Sequence, residues 1–249
     1  MNTAVLQGIQ AQAVTLETDI SYGLPAVTIV GLADTSVKEA RDRIRPALNN
    51  SGFRFPAQRI TINFSPADVH KHGSHLDLPM ALGILLSAGE LPQAEVSRYA
   101  CFGELSLDGG VRPVNGILPM VRAMKENGIT KVIVPEGNAV EAALLRGVEV
   151  YAVSSLRQIC AFLQGQSSLF PVCPAADACA APADDGLDFK DVRGQEMAKR
   201  ALAVAVAGGH GILMTGSPAT GKTMLAERIP GILPPMEEKE KLRMTEIYS

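Results

Sequence analysis

The sequence predicts an α/β protein with α+β character, consisting of a mixed-sheet domain followed by the beginning of a second domain. β-branched stretches such as "AVTIVGL" and "RITINFS" stand beside amphipathic helical patterns. A segment rich in Pro, Ala, Ser and Asp then interrupts the pattern. Beyond it, an Ala-rich helical stretch leads to an apolar run, a glycine loop and another helical stretch. We place the first domain at residues 1–166, the linker at 167–186 and the start of the second domain at 187–249.

The composition is that of a globular protein with aliphatic cores. Of the 249 residues, 47% are hydrophobic and 20% charged, whereas only 4% are aromatic and Trp is absent. The formal net charge of −3 provides no general attraction to nucleic acid or anionic lipid. Any contact with DNA would therefore need a local basic face.

The first helix has the clearest pattern. Ser36 and Glu39 predict a capping box at its start, and Ser51-Gly52 predicts its end. Pro46 is expected to kink or shorten it. Its predicted apolar stripe consists of Val37, Ala40, Ile44, Ala47 and Leu48.

Three cations share another face of this helix: Lys38, Arg41 and Arg45. They are our candidates for contact with a phosphate backbone. An ordinary solvated face is the favoured alternative, because acidic residues interleave with them.

Further along, a helix is predicted to begin near Asp77 with Pro79 in its first turn. Strand signals in "CFGELSLDGGVRPV" come next. Alternating elements follow: a helix at 119–127, the strand "KVIVP", a helix from Asn138 to Arg146, the strand "VEVYAV" and a Ser-capped helix in "SSLRQICAFL". Because crossovers do not separate the early strands, a mixed sheet is expected.

The stretch "GSPATGKT" matches the phosphate-loop (Walker A) pattern G-x-x-x-x-G-K-[ST] in full. Its residues are Gly216, Ser217, Pro218, Ala219, Thr220, Gly221, Lys222 and Thr223. Glycine lets successive backbone N–H groups face phosphate oxygens, Lys222 adds a positive charge, and the Thr223 hydroxyl is placed to ligate Mg²⁺. A strand in "HGILMTG" and a helix in "TMLAERI" supply the flanks that the motif needs. We therefore predict binding of ATP with Mg²⁺.

Hydrolysis of ATP also needs an acidic residue at the end of a strand, which holds Mg²⁺ and orients the attacking water. An arginine from a neighbouring subunit usually assists. Residues 224–249 contain glutamates, but none ends an apolar strand, and the tail is expected to be solvated and partly helical. We expect this chain to bind ATP without turning it over.

Two long stretches resemble the Mg-chelatase-like AAA+ proteins of the ComM/YifB type. They are "FKDVRGQEMAKRALAVAVAGGHGILMTGSPATGKTMLA" and the region from "VGLADTSVKEARDRIRPALNN" to "SHLDLPMALGIL". The resemblance implies a first domain with the fold of the Lon proteolytic domain (ribosomal S5-like) joined to a P-loop AAA+ domain. It also implies hexameric rings, and for ComM a DNA helicase that drives branch migration in natural transformation. It places Val192, Gly194 and Gln195 beside adenine. Ser217 and Ala219 depart from the Pro and Gly that are common in relatives.

Two alternatives stay open. The chain could belong to a chelatase-type remodeller of a protein or metal-insertion partner, or it could be a non-enzymatic, truncated product. In the Lon-like domain, His75 takes the place of the catalytic serine and Leu118 that of the lysine, while Ser74 is one residue away. Because neither residue can do that chemistry, no peptidase activity is expected.

The histidines and cysteines bear on metal binding and on cellular location. His70, His72 and His75 are weighed as a metal site, but a solvated loop is favoured. The cysteines Cys101, Cys160, Cys173 and Cys179 form no CxxC pair, so free thiols are expected. With no secretion signal or membrane span in the sequence, we expect a cytoplasmic protein.

Overall fold

A computed structural model describes residues 1–173, 187–234 and 236–249. The chain divides into two compact units, Met1–Ala178 with Leu242–Ser249, and Cys179–Lys241. Most of the predicted linker, including Cys179, lies outside the described residues. The predicted domain boundaries stay predictions.

The first unit is built on a mixed sheet of seven strands in the order β3-β4-β2-β1-β5-β8-β9, beside a two-stranded β6–β7 ribbon. β2 is antiparallel to both β1 and β4, and the other neighbours in the large sheet are parallel. The predicted α/β class with a mixed sheet is confirmed. The strands are β1 (Asn2–Gln7), β2 (Gln10–Ser21), β3 (Ala26–Val30), β4 (Arg59–Ser65), β5 (Tyr99–Cys101), β6 (Glu104–Leu105), β7 (Val111–Arg112), β8 (Lys131–Pro135) and β9 (Glu149–Val153).

The helices lie mostly where their periodicity predicts them. The helix expected from Asn138 to Arg146 instead spans Glu136–Ala142, because turns fill the residues up to Gly147, whose φ is +77°. Each described helix is too short or too polar to cross a bilayer. The helices are α1 (Thr35–Asn50), α2 (Asp77–Ser87), α3 (Gln93–Val96), α4 (Ile117–Glu126), α5 (Glu136–Ala142), α6 (Leu156–Leu163), α7 (Glu196–Ala207), α8 (Lys222–Ala226) and α9 (Glu238–Tyr248).

Helix α1 corrects two details of the prediction. Its N-cap is Asp34, whose carboxylate accepts a hydrogen bond from the backbone N–H of Val37 at 3.0 Å, so the predicted Ser36–Glu39 capping box is wrong. Ser36 instead donates its hydroxyl to Asp34. Pro46 does not shorten the helix, which continues to Asn50. The predicted stripe of five apolar residues is buried, and this packing outweighs the backbone hydrogen bond that Pro46 cannot donate.

An ion pair between the partly exposed Arg43 and the buried Asp77 joins α1 to α2. Arg43 donates from Nε to Asp77 Oδ2 at 2.7 Å and from Nη2 to Oδ1 at 2.9 Å, and the N–H of Leu105 also donates to Asp77. Burial raises the pKa of the Asp77 carboxyl, and the hydrogen bonds from Arg43 oppose this rise. The pair fixes the start of α2 against the middle of α1.

Two apolar clusters cover opposite faces of the sheet, because successive side chains of a strand point to opposite sides. Ala4 belongs to one cluster and its neighbour Val5 to the other. Helices α1, α2 and α6 contribute to the cluster of Val5, and α4 and α5 to the cluster of Ala4. The sheet is therefore sandwiched between two helical layers.

The second unit has a smaller core of Val192, Leu202 and Leu225. The strand predicted in "HGILMTG" is absent: residues 210–216 form no strand, and Leu213 is 87% exposed. A strand is stabilised by backbone hydrogen bonds to a neighbouring strand. The described part of this unit contains no second strand with which these residues would pair. Helix α7 ends at Ala207, with Gly208 as its C-cap.

Candidate nucleotide-binding site

The phosphate loop leads directly into α8. Gly221 is the N-cap of that helix and has a φ of +85°, a conformation that strains any residue with a Cβ. A Cβ at Gly216 would make only ordinary contacts, the nearest being Thr220 Oγ1 at 3.4 Å. Of the two motif glycines, Gly221 is the one that this backbone requires.

Lys222 places its ammonium group over the loop. Its Nζ donates to the carbonyl oxygen of Gly216 at 2.9 Å and to that of Ser217 at 2.7 Å, and lies 3.3 Å from Thr220 Oγ1. Because these partners belong to the loop itself, a positive charge is held where the motif would receive an anion.

The other loop residues are exposed. Thr223 follows Lys222 in the first turn of α8, and Ser217, Pro218 and Thr220 line the turn before it. Ala219 has a φ of +64°, a left-handed conformation that is unfavourable for a residue with a side chain. The loop therefore contains one strained position among its variable residues.

Of the three residues expected beside adenine, Gln195 contacts the loop. It is the N-cap of α7 with a φ of +61°, and its Nε2 donates to the carbonyl oxygen of Thr220 at 3.0 Å. Val192 is buried in the small core with Leu225 of α8. Gly194 also has a positive φ, +66°. Their placement beside adenine stays a prediction.

Arg228 is a site residue that sequence reasoning missed. Although buried, it donates from Nε to the carbonyl oxygen of Asp188 at 3.1 Å and from Nη1 to that of Met224 at 3.0 Å. Its Nη2 lies 3.6 Å from the carboxylate of Asp191. Arg228 thus ties the segment before α7 to α8. No local pattern marks it, because its partner Asp188 is 40 residues away in the sequence.

Comparison with known proteins identifies the family. The model described as "Subunit ChlI of Mg-chelatase" matches residues 16–138, and "Magnesium chelatase, subunit ChlI" matches residues 188–249. The protein named uncharacterized protein YifB of Salmonella typhimurium is 42% identical over the whole chain, and competence protein ComM of Haemophilus influenzae is 40% identical over 97% of it. The chain belongs to the ComM/YifB-type, Mg-chelatase-like family.

The chain spans about half the length of these curated relatives, 48% in both cases. Lon protease 2 of Bacillus subtilis is 30% identical over 49% of this chain, which is 22% of that protein. This match supports the Lon-like fold of the first unit of this family member.

At the two positions that correspond to the catalytic serine and lysine of Lon, the Lon-like unit carries His75 and Leu118. His75 is buried, and its Nε2 lies 2.9 Å from the carbonyl oxygen of Ala4. Leu118 is buried in the apolar cluster of α4. Ser74 is half-buried beside His75 in a short 3-10 turn. The absence of peptidase activity in this family member stays a prediction.

The histidine loop is not uniformly solvated, so that prediction is wrong for His75. Burial lowers the pKa of His75 to about 4, because a charged imidazole would lose its hydration. His70 and His72 are exposed. Among the described residues, no group of three His, Cys, Asp or Glu side chains is arranged to hold a metal.

The described cysteines are free, as predicted. Cys101 and Cys160 are buried, and burial raises the pKa of each thiol to about 12. Cys173 is exposed. The two buried thiols are thus held in the protonated, unreactive form.

The three candidate DNA-contacting cations are all exposed on α1. Nε of Arg41 lies 3.1 Å from the Asp42 carboxylate. The guanidinium carbon of Arg45 is 5.8 Å from the centre of the Phe55 ring, a cation–π distance. The structure therefore gathers the cations on one face and gives two of them protein partners.

Proposed function

We propose that this chain is the ATP-binding portion of a cytoplasmic, ring-forming AAA+ motor that acts on DNA, in branch migration during natural transformation and homologous recombination. The observation that carries the proposal is the position of Lys222 Nζ, within hydrogen-bonding distance of Gly216, Ser217 and Thr220. Membership in the Mg-chelatase-like family supports use of a nucleotide. The name of the relative competence protein ComM supports a role in competence, and DNA as the substrate is part of the proposal.

The loop residues fit Mg-ATP. Gly221 has the positive φ that glycine-rich phosphate loops use, and Lys222 Nζ is hydrogen-bonded to the carbonyl oxygens of Gly216 and Ser217. Gly216–Thr223 would hold the phosphates, Thr223 would ligate Mg²⁺, and Val192 and Gln195 would lie beside the base. When bound, Mg-ATP supplies the phosphoanhydride bond whose cleavage drives a motor of this type.

Titration of the 249-residue chain with a fluorescent ATP analogue and Mg²⁺ tests the nucleotide site. Lys222→Ala is expected to weaken binding by about 10- to 100-fold, because a charge-assisted contact is lost. The matched control is Lys239→Ala, which removes an exposed lysine from the same unit. Equal affinity in the chain and the Lys222→Ala variant would refute the site.

DNA binding by the full-length protein tests the motor. If phosphate contacts dominate, the logarithm of the association constant falls linearly with the logarithm of salt concentration. Forked and single-stranded oligonucleotides, titrated at several salt concentrations with ATP present, measure this slope. Undetectable or salt-independent binding would contradict the DNA assignment.

The second candidate is a chelatase-type remodeller, which the descriptions of both matching family models favour. The two candidates differ in what stimulates ATP turnover by the full-length protein. A motor on DNA is stimulated by DNA, whereas a remodeller is stimulated by its protein partner and is indifferent to DNA.

A further inference from the structure

Strand β3 lies at an edge of the large sheet. In the described part of the chain it pairs with β4 alone. Alternate residues of an edge strand direct their N–H and C=O groups away from the sheet, where another strand would bond to them. Edge strands are normally blocked by charged residues, Pro or a bulge, but "AVTIV" contains no charge and no Pro. This edge is open to pairing.

Apolar side chains are exposed toward both ends of β3. Tyr22 is 97% exposed and Leu24 87%, and Val30 and Leu32 are also exposed. Single exposed apolar residues are ordinary, but a group beside an open strand edge is typical of a surface that a partner covers.

Two adjacent clefts of about 410 and 440 Å³ lie between β3 and α1. The first is lined by Ile29 and Lys38, and the second by Ala26 and Arg45. Helix α1 therefore runs antiparallel to β3 along a continuous groove. Ala26 and Ile29 are about 10 Å apart along a strand, and Lys38 and Arg45 are about 10 Å apart along a helix.

The groove has a net positive wall. Three cations and two acidic residues of α1 line the two clefts, namely Lys38, Arg41, Arg45, Glu39 and Asp42. Asp42 is paired with Arg41 at 3.1 Å, which leaves Lys38 and Arg45 at the two ends of the groove, with Glu39 beside Lys38 and a net charge of one positive unit. A ligand that complements this wall carries acidic groups at more than one point along its length.

We propose that the groove between β3 and α1 binds an extended acidic peptide of a partner protein, which adds a strand to the edge of β3. The peptide backbone continues the hydrogen-bond ladder, and alternate side chains enter the groove beneath α1. Acidic side chains at its two ends meet Lys38 and Arg45, and apolar ones cover the exposed edge residues. This surface belongs to the first unit and does not depend on the nucleotide site.

Two other occupants fit less well. A second copy of this chain would offer "AVTIV", which contains no acidic residue, and would bring two cationic helix faces together. Nucleic acid would meet the cations of α1 but would leave the N–H and C=O groups of β3 unpaired. The open strand edge therefore favours a peptide over the DNA contact predicted for the same cations.

Fluorescence anisotropy with a labelled octapeptide of alternating valine and glutamate tests the proposal on the 249-residue chain. The expected result is saturable binding. Replacing glutamate by lysine, or methylating alternate backbone nitrogens, should abolish it. The double variant Lys38→Glu/Arg45→Glu is expected to weaken binding by about tenfold or more, whereas the control Arg112→Glu, at an exposed cation elsewhere on the same unit, should not. Circular dichroism verifies that the variants fold.

Other outcomes would overturn the proposal. They are absence of peptide binding, equal affinity for the lysine peptide, displacement of the peptide by a single-stranded oligonucleotide that binds more tightly, or concentration-dependent dimerisation that competes with the peptide. Lys222→Ala should leave peptide binding unchanged, so failure here is distinguishable from failure of the nucleotide site.

Discussion

Gln195 donates a hydrogen bond from Nε2 to the carbonyl oxygen of Thr220, 3.0 Å away, and so connects the N-terminus of α7 to the phosphate loop. Both residues are exposed, and Gln195 holds a left-handed backbone conformation to make the contact. The loop conformation is thus coupled to the segment that the family resemblance places beside the base.

Gln195→Ala is expected to weaken ATP binding by about 2- to 10-fold, because one hydrogen bond that orients the loop is lost. Gln195→Glu is expected to weaken ATP binding further, since a carboxylate would face the Thr220 carbonyl oxygen without a proton to donate. Calorimetric titration with Mg-ATP measures both. Met197→Ala, at an exposed residue in the first turn of α7, is the matched control and should bind normally. Wild-type affinity in both Gln195 variants would show that the contact does not orient the site.

Ala219→Gly is expected to tighten ATP binding by about 2- to 5-fold. A residue with a Cβ in the left-handed conformation is strained by about 1–2 kcal/mol. Glycine removes this strain, but its greater conformational entropy in the unconstrained chain offsets about half of the gain. Ala219→Val should act in the opposite direction, because a β-branched side chain is worse at positive φ. Titration of both variants with the fluorescent ATP analogue tests this pair, and an affinity order other than Gly, Ala, Val would contradict it.

Arg228→Met is expected to destabilise the second unit by about 2–3 kcal/mol, because the carbonyl oxygens of Asp188 and Met224 lose a buried charged donor. Hydrogen exchange followed by mass spectrometry should show faster exchange in residues 188–192 and in α8. The first unit, which does not contain this contact, is the internal control. Arg228→Lys should rescue only partly, since an ammonium group lacks the planar geometry that reaches three partners. Unchanged exchange in the Arg228→Met variant would rule out this tethering role.

The stability of the first unit is expected to fall as pH decreases from 6.5 to about 4. Folded His75 stays neutral until its pKa of about 4, whereas in the unfolded chain it takes up a proton near 6.5. The stabilisation is therefore complete above pH 6.5 and is lost as pH falls through this window, by up to about 3 kcal/mol. Urea unfolding at several pH values measures it.

His75→Gln keeps a donor for the Ala4 carbonyl oxygen and removes the titration. The difference in unfolding free energy between the chain and this variant should therefore change across the window. The matched control is His70→Gln, at an exposed histidine of the same loop, which should follow the unmodified chain. A constant difference between the chain and His75→Gln from pH 7 to pH 4 would refute the assignment.

The sequence alone determined the features that arise from local pattern. The apolar stripe of α1 is buried as its period predicts, and the mixed α/β class follows from the order of strand and helix signals. The family follows from two long matching stretches, and the phosphate loop from a motif within eight residues. These features were readable because each depends on residues that are neighbours in the chain.

Only the tertiary structure decided which residues from distant parts of the chain meet. Arg43 pairs with Asp77, 34 residues away, and His75 is buried against Ala4, 71 residues away. The apolar run before the phosphate loop formed no strand, because a ladder requires a partner that local pattern does not supply. The position of β3 at the sheet edge likewise emerged only from strand order. Burial and pairing depend on contacts between distant parts of the chain. The ion pair of Arg43, the burial of His75 and the edge position of β3 could therefore not be derived from local sequence patterns.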